Sequence, residues 1–129
     1  MQRRHKLALT LIGLSVAAGV AGQTALKLGV NHALGGSAVG LAGTVALVAT
    51  EPLVLLGLAC YALAALTWIA ALTRLDLSVA YPFLALNFVL VALSSWLILG
   101  ESIPPLRWLG ILVICAGILL VARSATQPR

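Results

Sequence analysis

The sequence predicts an all-α integral membrane protein with four transmembrane helices and a short interfacial or re-entrant segment between helices 1 and 2. Three observations carry that prediction. Of 129 residues, 62% are hydrophobic and only 9% are charged, whereas a soluble domain uses about a quarter charged residues to cover its surface. Four apolar runs reach the roughly 20 residues that cross a hydrocarbon core of about 30 Å at about 1.5 Å per residue. Taking those runs as spans also collects most of the lysines and arginines on one side of the membrane, as the positive-inside rule requires.

The spans run over about 7–28, 53–72, 78–99 and 106–122, so that 1–129 reads as a single transmembrane domain. Pro52 and Pro104-Pro105 stand at helix starts, where a missing N–H is harmless. Basic residues ahead of the first run imitate a secretory leader, but the run is too long for a leader's apolar region and three more spans follow.

The stretch HALGGSAVGLAGTVALVAT, His32 to Thr50, is apolar but rich in glycine, alanine and threonine. Basic residues arbitrate its role. With four spans and both termini cytoplasmic, Arg3, Arg4, Lys6, Arg74, Arg123 and Arg129 lie inside and Lys27 and Arg107 outside, six against two. A fifth span gives four against four. Residues 36–49 are therefore expected at the interface or as a re-entrant segment, and the bias favours one fixed orientation. The net charge of +5 is scattered over loops and termini, which signals orientation and not a nucleic-acid surface.

Cys60 and Cys115 lie inside apolar runs and read as small buried hydrophobes, not as a disulfide or metal pair. His5 and His32 fall outside the spans, and the sequence holds no nucleophile–base set, metal cluster or phosphate loop. No catalysis, metal or cofactor is expected.

Polar side chains at membrane depth are costly and often functional. On helix 1, Ser15, Gly19, Gln23 and Lys27 recur every four residues and form one stripe. An amide followed by an ammonium suits an anionic group such as a phosphate; the alternative is a lysine that snorkels to the interface. On helix 2, Tyr61, Ala65 and Trp68 share a face, with Thr67 beside it, as core, lipid-facing surface or the aromatic lining of a cavity.

On helix 3, Tyr81, Ala85, Phe88, Ala92 and Ser95 follow one face, and Asn87 and Ser94 another. Asn87, near mid-span, must find a partner on another helix or on a ligand. Pro82 is placed in the first turn, as a helix-start proline or a hinge. Trp96 and Trp108 fit an interfacial belt. Arg74 and Asp76 form a local charge pair in a cytoplasmic loop, and Glu51 favours the dipole at the start of helix 2. Glu101 caps the turn into Pro104-Pro105, or serves as a gate or proton site. No span carries an Asp or Glu near its middle, which a proton-coupled exporter of cationic drugs needs.

The stretch LTRLDLSVAYPFLALNFVLVALSSWLILGE, Leu72 to Glu101, resembles the drug/metabolite transporter superfamily, with its short loop, S-x-A-Y-P helix start and G-E ending. The segment GILVICAGI, Gly110 to Ile118, is similar to the glycine-framed dimerisation stripe of the small multidrug resistance family. Gly110 and Gly117 share a face suited to close helix contact. GQTALK, Gly22 to Lys27, resembles a G-T-T-L-M-K type segment of that family, with Lys27 in the matching place. Drug-exporting members carry an essential glutamate ahead of this segment; aligned on Lys27, Gly19 stands there instead.

The resemblance thus points to the four-span subunits proposed to flip undecaprenyl-phosphate-linked aminoarabinose across the bacterial inner membrane. It implies a non-enzymatic flippase with an anionic lipid-linked substrate at Lys27 and Gln23, and Tyr81, Pro82, Asn87 and Glu101 as site or gating positions. A homodimer, or a heterodimer with a paralogous four-helix subunit, is expected. The alternatives are a small-solute or drug exporter of the same superfamily and a non-transporting scaffold for a glycosyltransferase.

Overall fold

The computed structural model describes residues 2–36 and 39–125, with side chains from residue 6 to residue 124. Arg3, Arg4 and Arg129, part of the inner basic set, lie outside the described side chains. The chain forms α1 (Gln2–Leu34), α2 (Leu41–Thr50), α3 (Pro52–Leu72), α4 (Leu77–Ile98) and α5 (Pro105–Ala125), with no strand among the described residues. α1, α3, α4 and α5 are long and apolar enough to cross a membrane. α2 has ten residues, or about 15 Å of rise. That is half a hydrocarbon core, so length excludes a fifth span.

α1 continues six residues beyond the expected end at 28. Val30-Asn31-His32-Ala33 contains no breaker, and the helix stops only where Gly35 and Gly36 take φ of 43° and 84°, a region that side-chain-bearing residues avoid. α2 and α3 are separated by one extended residue, Glu51 (φ −78°, ψ 122°). Pro52 disfavours helical backbone in the residue before it and itself occupies the first turn of α3.

Pro82 departs from its expected place. α4 begins at Leu77, so Pro82 is an interior residue in the second turn. Its ring nitrogen cannot donate to the Ser78 carbonyl, which loosens the helix there. The Arg74–Asp76 pair is also corrected: no ion pair joins these residues, and Asp76 stands at the N-cap of α4 in extended conformation without a side-chain cap bond.

α1 is the central element. It packs against α3 along its length and against α4 on another side, while α3 and α4 scarcely meet and α5 leans on α4. The α1–α3 seam is built from small residues seven apart. Ala8, Ser15, Gly22 and Gly29 on α1 are all buried, as are Gly57, Ala64 and Ala71 on α3. A seven-residue repeat keeps one seam facing its partner along a gently supercoiled antiparallel pair. Along the seam the Ser15 hydroxyl donates to the Ala64 carbonyl at 2.8 Å. A Cβ on Gly22 would stand 3.0 Å from the Gly57 carbonyl oxygen. The close approach replaces the hydrophobic drive that lipid removes.

The core lies at the end of the bundle where α3 turns into α4. Ala8, Ile12, Val16, Ala71, Leu75 and Ala80 are buried together, with Leu11, Trp68, Phe83 and Leu90 packed on them. Toward the other end α3 and α4 diverge over α1 and leave a groove.

A polar groove over the central helix

α1 supplies the floor of the groove, and α3 and α4 its walls. Two adjoining cavities occupy it. The deeper, of about 230 Å³, is lined by Ser15, Gly19 and Gln23 below, Tyr61, Ala65 and Trp68 on α3, and Leu84 and Asn87 on α4. The outer, of about 450 Å³, runs past Gln23, Thr24 and Lys27 to Tyr61, Ser94, Ser95 and Glu101. Gln23 and Tyr61 line both. The stripe of helix 1 thus lies along the groove, but it is not straight. Steps of four residues advance about 40° around a helix, which carries the stripe from Ser15 in the seam to Lys27 at the mouth.

Lys27 has a partner that no local reading of the sequence supplies. Its Nζ lies 3.5 Å from Glu101 Oε1, with the two side chains 54% and 43% exposed. Gly100, at φ 66°, ends α4 and turns the chain back. The Glu101 N–H donates to the Ser95 carbonyl at 3.3 Å, and the Ser95 hydroxyl donates to the other carboxylate oxygen. The mouth is thus closed by a Ser95–Glu101–Lys27 chain of contacts. Trp96 and Trp108 meet edge to face beside it, with ring centroids 5.6 Å apart.

The Ser95 hydrogen bond holds the Glu101 carboxyl below its ordinary value of 4.5; partial desolvation opposes it, and the charges of Lys27 and Arg107 assist it. A depressed carboxylate contributes above its ordinary pKa and ceases to contribute as the pH falls through the lowered value. The bridge is therefore expected to remain closed from about pH 8 to about pH 5 and to open only in stronger acid. Carbon-13 NMR of the labelled Glu101 carboxyl checks this; a midpoint above 4.5 would contradict it.

Asn87 finds no partner on another helix. Its Oδ1 is buried without a hydrogen bond and lies 3.3 Å from the position a Cβ on Gly19 would take. A buried amide oxygen left unpaired costs about 1–3 kcal/mol. Ser94, one heptad on, is engaged: its hydroxyl and that of Thr24 lie 2.9 Å apart and tie α4 to α1.

The remaining sequence candidates are dispersed. Tyr81 is 59% exposed near the start of α4 and lines neither cavity. Arg74 lies at the opposite end of the bundle, in the α3–α4 turn. Gly110 and Gly117 on α5 have open space around them. Cys60 and Cys115 are free and half-buried. Sequence reasoning missed the Gly22–Gly57 crossing and the Thr24–Ser94 tie; the sevenfold recurrence of small residues at 8, 15, 22 and 29 was the available signal for the first.

Four helices long and apolar enough to span, three of which line a groove that carries an amide, hydroxyls and one ion pair, mark a multi-pass membrane protein. The chain belongs to the EamA-like transporter family, whose family model matches residues 7–123. Among curated proteins it is similar to the "Probable 4-amino-4-deoxy-L-arabinose-phosphoundecaprenol flippase subunit ArnE" of Salmonella paratyphi B, Salmonella newport and Salmonella typhimurium. Each is 41% identical over 70 residues, which cover 54% of this chain and 63% of the relative. The match thus spans less than two thirds of the length of these relatives. No solved structure matches the chain significantly.

Proposed function

We propose that the protein is a flippase subunit that moves a polyprenyl-phosphate-linked sugar across the bacterial inner membrane without chemical change to its cargo. The observation that carries this reading is the Lys27 ammonium at the mouth of the groove, where the one other charged lining side chain among the described residues is the half-exposed Glu101 carboxylate that pairs with it. A lipid phosphate can take the place of Glu101 on Lys27, so that the ammonium keeps an anionic partner near lipid while the released carboxylate, 43% exposed, still accepts from the Ser95 hydroxyl. The apolar tail stays in the bilayer while the head group occupies the groove. The names of the similar flippase subunits support the same cargo class. Gly19, where drug exporters carry their glutamate by the resemblance, leaves the deeper cavity without an acid, and the one acid at the mouth, Glu101, is paired with Lys27.

Both termini are cytoplasmic in this reading, so the Lys27–Glu101 mouth faces the periplasm and the alanine-rich core closes the cytoplasmic end. Gly110 and Gly117 present a small-residue stripe to a second four-helix subunit, identical or paralogous.

The test is native mass spectrometry of the detergent-purified protein offered polyprenyl phosphate, a polyprenyl phosphate sugar and an uncharged polyprenol. Selective retention of the phosphorylated lipids is expected; equal retention of all three would refute the reading. Glu101→Gln removes the competing anion and is expected to tighten polyprenyl phosphate binding by about two- to fivefold, the scale of an exposed ion pair. Weaker binding in that variant would mean that Glu101 assists the phosphate and does not compete with it.

A further inference from the structure

We infer that a second, apolar groove on the far side of the α1–α4 seam holds the polyprenyl chain of the cargo while its phosphate rests on Lys27. The inference rests on the flippase reading of the polar groove and assigns the part of the cargo that the polar groove leaves out.

The two grooves flank the line where α1 meets α4. At about 100° per residue, Gln23, Lys27 and Val30 fall on one side of α1 and Ala17, Ala21 and Leu28 on the other, with Thr24 between. On α4, Val91, Ser95 and Leu99 fall on the first side and Leu90, Leu93 and Leu97 on the second, with Ser94 between. The first set lines the outer polar cavity. The second lines a groove of about 730 Å³ whose only polar side chains are Thr24 and Ser94. Those two hydroxyls, 2.9 Å apart, line both spaces and form the wall between them.

Depth and continuity select a lipid chain anchored at Lys27. The apolar groove runs along α1 from Leu28, next to Lys27, to Ala17, about 16 Å of rise. That is the depth of one leaflet, half of a hydrocarbon core of about 30 Å. About one turn outward of the Thr24–Ser94 tie, the rim between the two spaces is bridged by the Lys27–Glu101 contact. A phosphate that displaces Glu101 opens that rim, and the chain passes over the tie, which stays closed. An apolar chain gains no hydrophobic drive by leaving other chains in the bilayer. The groove therefore holds it by close contact, with Ala17, Ala21 and Ala25 as a low floor and Leu90, Leu93 and Leu97 as the wall.

The experiment places the purified full chain in phosphatidylcholine nanodiscs with a polyprenyl phosphate that carries a diazirine a few isoprene units from the phosphate. After illumination, the labelled residues are mapped by peptide mass spectrometry. Ala17, Ala21, Leu93 and Leu97 are expected to carry about fivefold more label than Leu112, Val113 and Leu119, which are exposed on α5. That ratio corresponds to about 1 kcal/mol of preference. Excess unlabelled polyprenyl phosphate should bring the ratio close to one, and so should Lys27→Ala, because the head group positions the chain. Phosphatidylglycerol with the same diazirine in an acyl chain should give a ratio close to one throughout; a fivefold ratio from it would overturn the inference by assigning the groove to bulk lipid.

Ala21→Trp fills the groove with an indole and is expected to remove the label from Leu93 and Leu97. Ala21 is exposed, so the larger side chain displaces lipid and no packed neighbour. Lys27→Ala keeps the test valid if Ala21→Trp folds poorly. A ratio that survives either variant would overturn the chain site. So would label spread evenly over α1, α4 and α5 in the wild type, or a dimer whose groove residues take no label because a second copy fills the groove. Each of these leaves the flippase reading standing as long as phosphorylated lipids are retained over polyprenol. A wild type that does not distinguish phosphorylated lipids from polyprenol would overturn both.

Discussion

Lys27→Ala is expected to lower retention of a polyprenyl phosphate by about 10- to 100-fold, the value of a hydrogen bond to a charged group. The loss should appear without a matching loss of stability. The Lys27–Glu101 pair is half exposed at both side chains, and exposed ion pairs contribute little to folding. Lys27→Arg keeps the charge and offers a forked donor, so most of the binding should return. Thermal unfolding in detergent and lipid titration, run on the same samples, separate the two effects. Retention unchanged in Lys27→Ala would reduce Lys27 to a snorkelling residue that Glu101 happens to meet.

The second large effect is structural. Gly57→Leu is expected to abolish the folded bundle, and Gly57→Ala to destabilise it by about 1–3 kcal/mol, the usual cost of overpacking. A Cβ on Gly57 would stand 2.7 Å from Leu26 Cγ and 2.9 Å from both the Gly22 carbonyl oxygen and the Leu26 nitrogen. Two of those three atoms are backbone, so α1 itself must move, and it carries the floor of the groove with it. Gly13→Ala is the control, since nothing lies within 4 Å of its Cβ position and alanine favours helix. Gly57→Ala melting at the wild-type temperature would show that the α1–α3 seam is looser than these distances imply.

Much of the fold was legible because a bilayer leaves few choices. Apolar runs of sufficient length must be helices, and Pro52, Pro105 and Gly100 mark three of their ends. The end of α1 was less legible, because hydropathy falls at Lys27 while the helix continues on backbone bonding to Leu34. The groove was half legible. Spacing by four brought Ser15, Gly19, Gln23 and Lys27 forward, and all four line it; Tyr61, Trp68 and Asn87 join them from α3 and α4. The partner of Lys27 was out of reach. Glu101 meets it only because α1 and α4 lie side by side and Gly100 reverses the chain, a tertiary fact with no local signature. The same holds for the solitude of Asn87, since one sequence does not say what faces a given helix position.

α2 has a consequence for the membrane around the protein. It joins the end of α1 to the start of α3, so it sits at the Lys27 end of the bundle, and none of its residues is buried by the rest of the chain. Leu41 is 83% exposed. An apolar helix too short to span, touching α1 and α3 but covered by neither, offers its open face to the lipid at that end. Five helices are thus present at the Lys27 end of the chain and four at the other. Short helices that lie in the interface are sensitive to the curvature and composition of the lipid around them. The groove opens at the same end, so the lipid that α2 meets is the lipid beside the mouth.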